Sequence, residues 1–186
     1  MSLTIDLARR ILEACKQRAN ELRSPVSIAI VDAGGHLVLF ERMMSPYGWA
    51  TGNISLAKAN TAVMFNQSTD AVAQWGAQIP GFASSMASMS EGKFIMAAGG
   101  WPIRLNGATI GGIGVSGGNA PGRDDEIARA GLVVLAAPVQ TLYAAPQPQP
   151  APAYAQAARP ASVQAQPSPV PQYPSAPLAQ PSPVPA

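Results

Sequence analysis

Two apolar segments, each interrupted by residues that readily take a positive φ, constrain the fold of this chain most. The first covers residues 26–40 and is interrupted by Asp-Ala-Gly-Gly at 32–35. The second covers residues 101–118 and is interrupted by Asn-Gly at 106–107. An interruption of this kind between two β-rich runs is the strongest local signal for a β-hairpin. The two segments therefore predict two hairpins of one antiparallel sheet.

Helical spacing of apolar residues predicts helices around these hairpins. A first helix starts at a cap on Ser2 or Thr4 and ends before the first hairpin. A second helix covers residues 51–65, and a short third helix lies between a cap on Ser68 and Gly76. These helices alternate with the hairpins along the chain, so we expect them to pack on the sheet.

The chain between the third helix and the second hairpin is predicted to be a loop followed by a strand. Residues 77–90 are rich in Met and Ser and indicate a loop, whereas Phe-Ile-Met-Ala-Ala at 94–98 indicates a strand. A last helix, from Glu126 to about Ala136, follows a cap on Asp124 or Asp125. The predicted order is α, β-β, α-α, β-β-β, α. It predicts an α/β (α+β) domain in which helices flank a five-stranded antiparallel sheet.

A sharp change in composition near Ala137 divides the chain into residues 1–137 and residues 138–186. Of the 19 prolines, 14 lie from Pro138 onward, where Arg159 is the single charged residue. Such a stretch cannot bury enough apolar surface to offset the entropy that is lost on ordering. The sequence therefore predicts one folded domain and a disordered Pro/Ala/Gln-rich tail. The tail is either an inert linker or a segment that docks on a partner protein.

Charge and hydropathy exclude several classes of function. Residues 1–137 hold eleven Lys and Arg against ten Asp and Glu, so no basic surface predicts nucleic-acid binding. No apolar run reaches the roughly 20 residues of a membrane-spanning helix. The first residues lack the pattern of a signal peptide, and Cys15 is the single cysteine. A cytoplasmic location is therefore expected.

Five separated blocks within residues 3–136 resemble one family. The blocks are PVSIAIVDAGGHLV (25–38), AKANTA (57–62), GGWPI (99–103), IGVSGG (113–118) and DEIARAG (125–131). This pattern is similar to the GlcG/HbpS-like family, which includes the C-terminal haem-binding domain of PduO-type proteins. The resemblance implies a profilin-like domain that assembles into homo-oligomers, often octamers. It also implies haem binding for some members, and for others a link to haem degradation, redox sensing, or glycolate or cobalamin metabolism.

The resemblance makes haem the expected cofactor, bound in an apolar pocket between subunits. His36, the only histidine, is a candidate ligand of the iron, and the alternative is an exposed residue at a hairpin tip. Lys58 lies in a helix of small uncharged residues. It is a candidate partner of a haem propionate, or else a surface lysine that keeps the helix soluble.

Four further residues are candidates for the same cofactor site. Met96 and Trp101 are expected to line the pocket, and the alternative for both is packing in the core or an interface. Gly99 and Gly100 permit either a close approach of the ligand or tight packing of the strand. One histidine cannot by itself build a multi-histidine metal site, so iron bound to His36 would take its other ligand from elsewhere.

Other chemistry has little support in the residues. No Ser-His-Asp set or Gly-x-Ser-x-Gly motif is evident, so the sequence leaves open whether the protein is an enzyme. Residues 124–126 are all acidic and suit either a hard cation or the dipole of the last helix. The sequence thus predicts an oligomeric haem-binding protein, with assistance of haem degradation or redox sensing as its expected role. The alternative is a non-catalytic accessory subunit whose tails dock a partner enzyme or shell.

Overall fold

The computed structural model describes residues 2–44 and 48–136, which form a mixed α/β domain. Its elements, in chain order, are α1 (Ile5–Glu21), β1 (Ser27–Asp32), β2 (Leu37–Arg42), α2 (Thr51–Phe65), α3 (Thr69–Gly76), α4 (Phe82–Met89), β3 (Gly100–Leu105), β4 (Ala108–Ser116) and α5 (Arg123–Leu132), followed by a short 3₁₀ turn (Val133–Leu135). The predicted tail, residues 138–186, lies outside the described residues. None of the helices in the described ranges has the length and apolar character that crossing a bilayer requires.

Within the described residues, the strands form one antiparallel sheet in the order β2-β1-β4-β3. Both predicted hairpins are confirmed, and they join through β1 and β4, where Ser27 pairs with Ser116. The second hairpin turns at Asn106 and Gly107, whose φ values are 52° and 80°. A positive φ at both central residues is what a two-residue turn between twisted strands needs.

The sheet has four strands, so the prediction of a fifth at residues 94–98 is wrong. This segment has no regular secondary structure and bonds to α2 instead of to a strand: the Ile95 amide donates to Thr61 Oγ1 at 2.9 Å. Phe94 is buried and contacts Phe65 and Phe82 edge to face. The apolar residues at 94–98 are compatible either with a strand or with packing against other aromatic side chains, and the sequence pattern does not distinguish the two. The profilin-like likeness stays a prediction.

Side chains alternate between two faces along the central strands β1 and β4. Ile30 and Ile113 face α1 and α5, and they belong to the larger hydrophobic core. The opposite face of β4 carries glycine, and a Cβ on Gly112 would lie 2.5 Å from the Ala59 carbonyl oxygen. A Cβ on Gly114 would collide with the α2 backbone at Ser55. The backbone of α2 therefore packs directly on the sheet, while α1 and α5 cover its other face.

Two predicted helix starts are confirmed. At each of them, one side chain caps the helix by accepting from an amide three residues further along the chain. Thr4 Oγ1 accepts from the Leu7 amide at the start of α1, and Ser68 Oγ accepts from the Ala71 amide at the start of α3. The last helix differs from its prediction. Helix α5 begins at Arg123 after Gly122, without a side-chain cap.

Helix α4 replaces the loop that was predicted over residues 77–90. Phe82, its first residue, packs against Phe65 and Trp75 at centroid distances of 5.9 and 4.9 Å. No residue of α4 is buried, and Met89 is 72% exposed. A helix held at one end by one aromatic residue lacks the apolar period by which sequence patterns indicate helices. This explains why the sequence did not predict it.

Candidate functional site

His36 lies in the turn between β1 and β2, where the chain is shaped by Asp32. One carboxylate oxygen, Asp32 Oδ1, accepts from the amides of Gly34 at 2.8 Å and His36 at 3.0 Å, and it lies 3.3 Å from His36 Nδ1. The hydrogen bond from the His36 amide is the largest cause that holds the pKa of Asp32 below its ordinary value. The turn therefore sets an anionic carboxylate against one nitrogen of the imidazole.

Among the described residues, the hydrogen bonds of this turn engage the ring through Nδ1, and the second ring nitrogen, Nε2, takes no part in them. A carboxylate on one nitrogen of a histidine is the usual way in which proteins orient an imidazole toward a metal. The His36 side chain is 83% exposed, so a large planar ligand can reach it. Leu37 and Phe40, on the adjoining strand, are 54% and 44% exposed and present apolar surface close to it in sequence.

Lys58 is buried within the domain and already has two acceptors. Its ammonium donates to Asp124 Oδ2 at 2.7 Å and to the Val115 carbonyl at 2.8 Å, and the residue is 3% exposed. The interpretation as a surface lysine is therefore wrong. A contact with a haem propionate stays a prediction. Asp124 also accepts from the Gly118 amide at 2.7 Å, and it lies in the first turn of α5, inside the helix and not at its cap.

Gly99 and Gly100 lie against this ion pair and allow the start of β3 to pass it. Gly99 has a φ of 107°, and a Cβ there would lie 2.7 Å from the Cβ of Asp124. A Cβ on Gly100 would lie 2.6 Å from the Lys58 carbonyl oxygen. The structure thus gives both glycines the role of tight packing. We call Lys58, Asp124, Gly99, Gly100 and Gly118 the Lys58 junction.

Met96 and Trp101 contact different elements. Trp101 Nε1 donates to Asp125 Oδ1 at 2.7 Å, and the Arg129 guanidinium carbon lies 5.6 Å from the centre of its ring. The sulfur of Met96 instead lies beside Gly76 in α3, 2.9 Å from where a Cβ would stand. The contacts given for these two side chains thus lie on different helices, α5 for Trp101 and α3 for Met96.

Sequence reasoning missed Asp125 and Arg129 as the partners of Trp101. They are four residues apart and therefore share one face of α5, a spacing that was visible in the sequence. The acids of this helix have separate partners: Asp124 bonds Lys58, Asp125 bonds Trp101, and Glu126 bonds Arg18. Within residues 2–44 and 48–136, no group of three or more His, Cys, Asp or Glu is placed to hold a metal ion.

The turn at His36 and the Lys58 junction lie at opposite ends of the sheet. Asp32 is at the end of β1, whereas Val115, which accepts from Lys58, pairs with Ile28. Asp32 lies four residues after Ile28 along the strand, a distance of about 13 Å. Two open surface hollows, of about 550 and 950 Å³, lie along α5 and α1 and are not lined by any of the predicted site residues.

The fold and the turn define a class of small α/β domain, with helices on both faces of an antiparallel sheet and a carboxylate-paired histidine at an exposed hairpin turn. A family model described as haem degrading protein HbpS-like matches residues 3–133. The chain belongs to this HbpS-like family, which confirms the resemblance carried by the five sequence blocks.

Individual relatives agree with this assignment. The chain is 36% identical over 121 residues to an uncharacterized 15.0 kDa protein from the dhaT-dhaS intergenic region of Citrobacter freundii, covering 63% of this chain and 81% of that protein. It is similar to the crystal structure of a PduOC:heme complex, with 29% identity, a TM-score of 0.63, and coverage of 72% and 94%. HbpS from Streptomyces reticuli, solved as a double mutant, gives 31% identity, a TM-score of 0.64, and coverage of 73% and 88%.

Proposed function

We propose that this protein binds haem, with His36 as the ligand of the iron. The observation that carries the proposal is the turn in which Asp32 Oδ1 faces Nδ1 of the only histidine in the chain, so that Nε2 is the nitrogen that would bind the iron. Neutral imidazole is a common axial ligand of haem iron. Membership of the HbpS-like family and the similarity to a PduOC:heme complex support the same cofactor.

The haem would lie between copies of the chain. His36 is 83% exposed, so one copy offers the ligand without an enclosure for the porphyrin. Exposed apolar side chains on β2, the strand that follows the turn, would suit a covering surface: Leu37 and Phe40 are 54% and 44% exposed. Apolar patches of this kind on a folded domain mark interaction sites. We therefore propose that a homo-oligomer, of a size up to the octamer expected from the family, completes the site.

Each residue then has a limited task. His36 binds the iron, Asp32 holds the imidazole, and the apolar side chains exclude water from the porphyrin. Bound haem would supply a redox-active iron, beside which His36 and Asp32 are the titratable pair of this turn. Binding is therefore the core of the proposal, and assistance of haem degradation or redox sensing would be a role of the bound cofactor. Docking of a partner through residues 138–186 stays a prediction.

A titration with ferric haem tests the proposal. We expect the wild-type protein to give a sharp, saturable Soret band, and His36→Ala to weaken binding by at least about tenfold, the equivalent of about 1.4 kcal/mol. Metal-free protoporphyrin IX is the matched control, because it presents the same apolar surface without an iron. It should bind both proteins equally. Equal haem affinity of the wild type and His36→Ala would refute the assignment of His36, and the absence of saturable binding to the wild type would refute the function.

A further inference from the structure

We infer that Asp32 is a positioning residue that fixes the tautomer and the orientation of His36, and that Gly34 is the residue that lets the imidazole reach it. The consequence for the iron rests on the proposed haem binding. The tautomer itself is a property of the protein without haem, so the two claims can be tested separately.

The geometry of the turn carries this inference. Two backbone amides, those of Gly34 and His36, bond Asp32 Oδ1 at 2.8 and 3.0 Å and hold the carboxylate in place. The imidazole Nδ1, 3.3 Å away, therefore meets an acceptor whose position the backbone has already set. Because an ionised carboxylate only accepts hydrogen bonds, the contact requires the proton of neutral His36 to lie on Nδ1. Its lone pair is then on Nε2.

Because residue 34 has no side chain, the imidazole ring can occupy the space beside the carboxylate that a Cβ would crowd. A Cβ on Gly34 would lie 2.9 Å from His36 Nδ1, 3.0 Å from its Cε1 and 3.3 Å from Asp32 Oδ1. The neighbouring Gly35 has a φ of 80° and approaches Asn60 of α2. Gly35 is therefore needed for the positive φ of the turn, whereas the missing side chain of Gly34 leaves space for the imidazole.

The arrangement reverses the preference of a free imidazole. Neutral histidine in water favours the proton on Nε2, the nitrogen that an iron would need unprotonated. A carboxylate on Nδ1 also strengthens the imidazole as a ligand, and loss of such a partner commonly weakens metal affinity by about 10- to 100-fold.

The test starts from ¹⁵N NMR of the full chain without haem, at a pH where His36 is neutral. One histidine gives one pair of ring nitrogen signals, so the tautomer is read without assignment. We expect the Nδ1–H form to predominate in the wild type. Asp32→Asn, which keeps an oxygen for the two amides but removes the charge, should shift the population toward Nε2–H. Gly34→Ala should do the same by displacing the ring.

Glu41→Gln is the matched control, because it removes one negative charge from the same hairpin while its partner is Lys16 and not His36. It should leave the tautomer unchanged. A wild-type protein with mainly Nε2–H, or a population that Asp32→Asn and Glu41→Gln change alike, would overturn the inference.

Haem titration of the same proteins separates the inference from the proposed function. We expect Asp32→Asn to weaken ferric haem binding by about tenfold and Glu41→Gln to leave it unchanged. A dominant Nδ1–H tautomer in a wild type that binds no haem would refute the proposed function and support the orientation by Asp32. Haem affinity that Asp32→Asn does not change, in a wild type that binds haem, would overturn the positioning role.

Discussion

The Lys58 junction should be the most sensitive point of the fold, and Lys58→Met tests this directly. The substitution keeps the length and the apolar stem of the side chain but removes a buried ammonium. It leaves the Asp124 carboxylate without its cation and the Val115 carbonyl without this donor. Helix α2 would then lose its ionic link to α5 at the point where β3 begins.

The size of the effect follows from the burial of the two partners. Removing one member of a buried ion pair typically lowers the free energy of unfolding by about 3–5 kcal/mol, because a charge stays behind without compensation. Lys58 is 3% exposed, but the Asp124 side chain is 23% exposed and keeps the Gly118 amide. We therefore expect the lower end, about 3 kcal/mol. For a domain of this size, the loss corresponds to a decrease in Tm of about 10 °C.

Urea unfolding at a fixed protein concentration, followed by tryptophan fluorescence, measures this loss. Lys93→Met is the matched control at an exposed lysine and should change the free energy of unfolding by less than about 0.5 kcal/mol. In the double variant Lys58→Met/Asp124→Asn, removal of the orphaned charge should recover part of the loss, with a coupling of about 1–3 kcal/mol. A loss under about 1 kcal/mol for Lys58→Met, or strictly additive effects, would refute the reasoning.

Two further predictions concern groups on α1. Hydrogen bonds from Arg18 are the largest cause of the lowered pKa values of Glu21 and Glu126. The stability that these two carboxylates contribute is therefore fully present above their ordinary pKa of 4.5. It is lost as the pH falls through their lower pKa values in the folded protein. Arg18→Gln should therefore flatten the acid limb of a plot of unfolding free energy against pH below 4.5, and an unchanged limb would contradict this. Burial raises the pKa of the Cys15 thiol to about 12. An aromatic disulfide reagent at pH 8 should therefore label this thiol only after the protein is unfolded in urea. Rapid labelling of the native protein would contradict this prediction, because it would show that the thiol is accessible.

Local signals account for the parts of the fold that the sequence predicted correctly. The two turns, at residues 32–35 and 106–107, and the caps at Thr4 and Ser68 each depend on contacts within about four residues. A hairpin turn or a helix cap of this kind forms wherever the chain supplies the right residue at the right place. The predicted bounds of α2 are also confirmed, and in the structure the helix ends at Phe65 because Asn66 takes the left-handed conformation.

The errors lie where contacts between distant segments decide the structure. Residues 94–98 were predicted to be a strand, but Thr61 supplies the hydrogen bond and aromatic packing supplies the burial. Asp124 was predicted to cap a helix, but an acid on the first turn fits an ion pair equally well. The choice between those roles depended on Lys58, which is 66 residues away in the chain.

The sequence by itself determined the antiparallel sheet, the family and the turn that presents His36, because those properties depend on short, contiguous patterns of glycine, acid and β-branched residues. Only the tertiary structure decided which candidate residues stand together. Packing of α2 on the glycines of β4 buries Lys58 against Asp124 and separates it from His36 by most of the length of a strand. A buried lysine needs a nearby anion to offset the loss of its hydration, and the fold supplies that anion from α5.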